Sequence, residues 1–172
     1  MPLQKDSPPP FKTEFMSSYQ IRPATQRDAQ AVADIQASVS PAAAQGLHFW
    51  RDAIEYGEPQ VHVALDGDSL IGFVGFDRSR DKGTKPTVGE IWAIYVLPAY
   101  WDKGVGLALW DAAREGLQEE GCTQVTIWLP VASERAMRFH ELAGFKREMS
   151  SLKTVPVGGV KIEEIRLKRD LD

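Results

Sequence analysis

Residues 90–109 read EIWAIYVLPAYWDKGVGLAL, and three signals follow one another in them. Glu90 to Leu97 is an apolar run rich in aromatic and β-branched residues, the pattern of a buried strand. Pro98 stops it, and a turn through Lys103, Gly104 and Gly106 leads into a helix-period pattern. Glycines let the backbone take positive φ and come close to a ligand. The first turn of the following helix adds unpaired N–H groups and the positive end of the helix dipole. Strand, glycine turn and helix together make an anion site suited to a pyrophosphate.

A chain of 172 residues with 43% hydrophobic and 26% charged side chains fits one globular domain with an ordinary core. A net charge of −4 gives no basic surface for nucleic acid or an anionic membrane, and an amine approaches such a chain more easily. The single cysteine, Cys122, allows no internal disulfide and no metal cluster, which fits a reducing cytoplasm. No apolar run reaches the roughly 18 residues of a membrane span. Residues 1–18, rich in proline and polar groups without period, read as a flexible leader, with Met16 a candidate natural start. Residues 19–172 form the single folded domain.

Tyr19 to Arg22 is a short strand, and Thr25 with Asp28 forms a capping box before a helix whose inner face is Ala31, Val32, Ile35 and Val39. Ser40-Pro41 opens a second helix, with Ala43, Leu47, Trp50 and Ile54 inward, ended by Gly57 and Pro59. Val61 to Leu65 and Leu70 to Phe76 make a hairpin, and the charged stretch Asp77 to Thr87 reads as a solvated tip. The helix from Gly104 carries Val105, Leu109, Ala112, Ala113 and Leu117 on one stripe and stops at Gly121. Gln124 to Leu129 is a strand. Ser133 caps a helix with Ala136, Phe139, His140 and Ala143 inward. Phe145 to Ser150 and Val160 to Leu167 close the chain as strands around a turn at Val155 to Gly159.

Two motifs in this order resemble the GNAT superfamily of N-acetyltransferases, over about Tyr19 to Arg169. The first is Trp101-Asp102-Lys103-Gly104-Val105-Gly106, similar to the family's pyrophosphate loop, with both glycines matched and Trp101 standing where the family has Arg or Gln. The second runs from Ser133 to Phe145. It is similar to the family's Asn-x-x-Ala-x-x-Phe-Tyr-x-x-x-Gly-Phe, with Ser133 for Asn and His140 for Tyr.

The resemblance implies an α/β fold with a mixed, mostly antiparallel central sheet flanked by helices and splayed between central strands near Val96 and Leu129. It implies acetyl-CoA as co-substrate, without a metal, and direct attack by an amine. The cofactor-binding set would be the strand backbone at Ile94, Tyr95, Val96 and Leu97, the loop residues Trp101, Asp102, Lys103, Gly104, Val105 and Gly106, and Ser133, which is first a helix cap. Glu90 stands where the family often has its base. An alkyl amine with a pKa of about 10.4 is mostly protonated near neutrality, so a base helps. Glu90 is alternatively a strand-entry charge in solvent or an ion pair. His140 stands at the family's candidate acid beside the CoA sulfur, or is a hydrogen-bonded core histidine.

The acceptor pocket in the family lies near the first helices and the last strands. Here that brings in His48, Phe49, Trp50, Glu163 and Glu164, which read equally as packing or surface. His48 and His62 read as structural and Cys122 as a small buried residue. The resemblance also allows a homodimer through sheet edges or the last strands. A second class of function is a CoA-binding sensor or interaction module with lost catalysis, motivated by the departures at Trp101, Ser133 and His140.

Overall fold

The computed structural model describes residues 19–172. The leader expected over residues 1–18, including Met16, lies outside the described residues. Among the described residues seven strands form one sheet: β1 (Tyr19–Pro23), β2 (Gln60–Asp66), β3 (Ser69–Arg78), β4 (Val88–Val96), β5 (Gln124–Pro130), β6 (Lys146–Val157) and β7 (Val160–Asp170). Their spatial order is β1-β2-β3-β4-β5-β7-β6. Among the described residues all neighbours are antiparallel except β4 and β5. The expected mixed, mostly antiparallel sheet is therefore present.

Its two faces are covered, among the described residues, by four α-helices: α1 (Ala29–Val39), α2 (Gly46–Tyr56), α3 (Val105–Glu119) and α4 (Glu134–Leu142). The α3 face packs Phe76, Ile91, Leu109, Trp110, Leu117, Ile127 and Leu167, and the α1 and α2 face packs Val32, Ile35, Trp50, Val63 and Phe73. Strand alternation sends successive side chains to opposite layers, so Phe73 joins one cluster and Val74 the other.

The parallel pairing is short, and this matters most for the site. β4 and β5 are in register only at Val88, Gly89 and Glu90, opposite Gln124, Val125 and Thr126. Beyond Glu90 the two strands part. On its other side β4 stays paired to β3 as far as Val96, with an extra residue, Trp92, where Phe76 faces Ile91 and Gly75 faces Ala93. Such a bulge bends the strand and sharpens its twist.

Several sequence expectations change. The second helix does not run from Ser40: Pro41–Ala43 is a separate short turn without a serine side-chain cap, and α2 starts after Gln45, so Ala43 is exposed rather than inward. Gly46 at φ +87 marks the break. β6 extends to Val157, with Val155 opposite Ile162, and the turn is only Gly158-Gly159. On α4 Met137, absent from the expected inner face, is buried with His140, while Ala136, Phe139 and Ala143 are partly buried against the same core, as expected. The capping box at Thr25 and Asp28 is formed, with the Thr25 N–H donating to Asp28 Oδ2 at 2.7 Å.

Candidate active site

The gap between β4 and β5 exposes backbone. Val96 lies opposite Gly72, and the Leu97 N–H donates to the Ile71 carbonyl at 2.9 Å. Bonded and non-bonded pairs alternate along an antiparallel ladder. Leu97 and Tyr95 therefore bond to β3, whereas the N–H and C=O groups of Ile94 and Val96 turn toward the gap. Of the four strand residues named from sequence, two have backbone groups available there and two are held by the sheet.

The chain leaves β4 through a short turn, Pro98–Tyr100, and reaches α3 by way of Trp101 to Gly104. Asp102, at φ +64, is a non-glycine residue in the left-handed region, and Gly104 follows at φ +85. Val105 is buried and anchors the first turn of α3, whose leading N–H groups have no carbonyl one turn earlier to bond. A Cβ on Gly106 would come within 3.3 Å of the Phe139 ring. The two sequence motifs thus touch, α4 lying against the start of α3 through a position that only hydrogen fits comfortably. Tyr100 fixes the turn from the other side, its hydroxyl donating to Asp66 Oδ2 at 2.8 Å.

Trp101 covers part of the gap. Its indole N–H donates to the Val96 carbonyl at 2.9 Å, and the Arg135 guanidinium lies over its ring at 4.1 Å. Arg135 also donates to Asp102 at 3.2 Å. Arg135 had no part in the sequence expectation, although it sits two residues into the second motif. Lys103 is exposed, with its ammonium 5.8 Å from the Tyr100 ring. Ser133 precedes α4 but its hydroxyl makes no capping bond; its carbonyl accepts the Met137 N–H at 2.9 Å.

Glu90 stands at the fork, 1% exposed. Arg80 supplies three hydrogen bonds to its carboxylate: N–H to Oε1 at 2.9 Å, Nε to Oε1 at 3.3 Å and Nη2 to Oε2 at 2.6 Å. The same guanidinium stacks on Trp92 at 4.0 Å. The stretch from Asp77, expected to be a solvated tip, instead folds back over the sheet. Asp81 accepts the Trp128 indole N–H at 3.1 Å and an Arg166 N–H at 2.9 Å. Arg166 in turn bonds Glu148, and Lys153 lies 3.8 Å above the Trp128 ring. Of the alternatives read from sequence, the structure shows Glu90 in an ion pair.

His140 is buried, with its ring edge-on to Phe139 and Phe145 at 5.0 and 5.2 Å. Its Nδ1 lies 2.8 Å from the Ala136 carbonyl, which can only accept, so Nδ1 carries the proton and Nε2 the lone pair. Burial holds the imidazole pKa below its ordinary value, against the opposing pull of that backbone bond. Its bonding and ring partners are Ala136, Phe139 and Phe145 rather than residues of β4. Trp50, named for an acceptor pocket, is fully buried against Phe73 and donates to Gln36 Oε1 at 2.8 Å; it is core. Cys122 is buried and its thiol pKa is raised by desolvation.

Comparison with known proteins bears on this geometry. The model of the Acetyltransferase (GNAT) family matches residues 25–145. The chain belongs to the GNAT acetyltransferase family. It is 32% identical over 82 residues to mycothiol acetyltransferase of Kocuria rhizophila, covering 48% of this chain and 27% of that relative. It is 31% identical over 85 residues to N-alpha-acetyltransferase 30 of Schizosaccharomyces pombe, covering 49% of this chain and 56% of the relative. The chain thus matches only about a quarter to a half of these relatives' lengths. The structure of yncA from Salmonella typhimurium with its cofactor acetyl-CoA has the same fold, at a TM-score of 0.74 and 18% identity, covering 90% of this chain and 95% of that one.

Proposed function

We propose that this protein transfers an acetyl group from acetyl-CoA to a primary amine by direct attack. One observation carries the proposal: the outward backbone groups of Ile94 and Val96 lie on a strand edge that β5 has left, between the start of α3 and the carboxylate of Glu90. Acetyl-CoA brings an activated thioester and a diphosphate. The protein offers groups that suit both. Amides of the α3 first turn and the loop from Trp101 to Gly106 suit the diphosphate, with Lys103 adding charge. An extended arm fits the open edge at Ile94 and Val96, and a backbone N–H there can polarise a carbonyl; one such donor is worth about 3 kcal/mol in a transition state. Ser133, at the head of α4, completes the cofactor side.

Glu90 takes the amine proton. A carboxylate has about four lone-pair positions, and Arg80 fills three. Glu90 is 1% exposed, so an amine N–H or a bridging water reaches the fourth when the half-exposed Arg80 guanidinium moves aside. His140 enters differently. Assisting a thiolate as an acid requires the imidazolium, which its burial opposes, so we assign it to holding α4 against Phe145.

The test is release of free CoA thiol from acetyl-CoA with a panel of primary amines, for wild type and Glu90→Gln. Turnover that falls by about a hundredfold in the variant, with its pH dependence flattened, supports the assignment; an unchanged rate and pH profile removes Glu90 as the base. A second reading has its own observation: the Trp101 N–H already holds the Val96 carbonyl on the open edge. A CoA-binding module without catalysis would bind acetyl-CoA and turn over no amine in that panel.

A further inference from the structure

We infer that Arg135, reaching over from α4, is the cation that binds the CoA diphosphate, in place of the side chain missing at position 101. The inference rests on the acetyl-CoA site proposed above and adds to it a specific residue and a competitor. Trp101 has one N–H donor, and that donor is bonded to the Val96 carbonyl. It can give nothing to a phosphate. It does give a flat surface, and the guanidinium of Arg135 lies on that surface at 4.1 Å. Stacking fixes the plane of an otherwise flexible side chain at the entrance to the loop.

The partner of Arg135 is the second observation. Asp102 meets it through one contact, Nη1 to Oδ1 at 3.2 Å, with the two side chains 53% and 81% exposed. A pair that open to solvent is weak and easily exchanged. Four of the five guanidinium N–H groups are left over, in the fork geometry that suits two phosphate oxygens. Asp102 itself is held at φ +64, inside the loop between Trp101 and the glycine that starts α3. Its carboxylate is an internal anion placed where an incoming anion would arrive. Phosphate binding then amounts to an exchange: Arg135 lets go of Asp102 and closes on the ligand, while Trp101 keeps it in place.

The geometry selects the diphosphate over the 3′-phosphate, because Arg135 contacts the same loop whose amides open α3. Titration calorimetry with CoA, dephospho-CoA and pantetheine, on wild type, Arg135→Ala, Arg135→Lys and Asp102→Asn, separates the outcomes. Arg135→Ala should weaken CoA and dephospho-CoA equally, by about tenfold or more, and leave pantetheine unchanged. Arg135→Lys should recover only part of the loss, since an ammonium cannot stack and fork in the same way. Asp102→Asn should tighten CoA by about two- to fivefold by removing the competitor. Equal weakening of pantetheine, a loss confined to CoA, or no change in Arg135→Ala would each overturn the assignment. Wild type that binds none of the three ligands would instead remove the acetyl-CoA site itself. Arg135 is exposed, and matching thermal melts confirm that each variant is folded.

Discussion

The Glu90 carboxylate and the Arg80 guanidinium form a pair that is half inside the protein: the Glu90 side chain is 2% exposed, that of Arg80 47%. The carboxylate therefore depends on one residue of a loop for its charge balance. Removing that residue leaves a buried anion, which is costly, whereas removing both members leaves none. Arg80→Ala should destabilise the fold by about 1–3 kcal/mol, the value discounted because the guanidinium reaches solvent. Adding Glu90→Gln to it should restore part of that loss. Urea denaturation of the two single variants and the double variant gives the coupling directly; additive losses would show that the pair is not coupled.

Gly116 lies in the last turn of α3, where alanine would ordinarily be favoured by up to about 1 kcal/mol. A Cβ there would sit 2.5 Å from Cε2 of Phe76, whose ring is fully buried and cannot swing aside. Overpacking costs about 1–3 kcal/mol and should win. Gly116→Ala is expected to lower stability by about 1–2 kcal/mol, measured as a fall in the denaturation midpoint; a rise would mean that α3 and β3 part without cost.

Gln36 is the buried polar residue that orders α1 and α2. Its Oε1 accepts the Trp50 indole N–H at 2.8 Å and the Gln45 N–H at 3.0 Å, and its Nε2 reaches Gln45 Oε1 at 3.1 Å. Gln36→Leu keeps the volume but strands the buried Trp50 indole donor, at about 1–3 kcal/mol for a buried unsatisfied group, while the N–H of the exposed Gln45 can turn to water. The expected loss is about 1–3 kcal/mol. Trp50→Phe in the same background should cost less than it does in wild type, because the stranded indole donor goes with it.

The central strand, the loop and α3 were legible because each carries a local signal: Pro98 ends the run, the glycines at 104 and 106 allow positive φ or a close ring, and Leu109, Ala113 and Leu117 repeat at helical spacing. The roof over Glu90 was not. Its charges read as a solvated turn, and only contacts 10, 47 and 85 residues away, to Glu90, Trp128 and Arg166, reveal that it folds over the sheet. Gln36 escaped for a similar reason, since its partner Trp50 is 14 residues distant on another helix. Arg135 was visible as a residue but not as a contact of Trp101, which needs α4 packed on Gly106 to come within reach.

His140 links burial to pH. Its folded pKa is lowered by desolvation, so between that value and the unfolded value of about 6.5 the unfolded chain binds more protons than the native one. Stability from this residue is present above about pH 6.5 and is lost as the pH falls below it, at up to about 1.4 kcal/mol per pH unit for one proton. His62, also lowered by burial, acts in the same sense and remains in the variant as an internal reference. His140→Asn should therefore shift the whole curve down through lost packing while making it flatter between pH 6.5 and the acid limb. Chemical denaturation across that range reads both effects. Parallel curves for wild type and variant would mean that His140 titrates normally in the folded protein, and would return it to the list of acids able to assist the leaving thiolate.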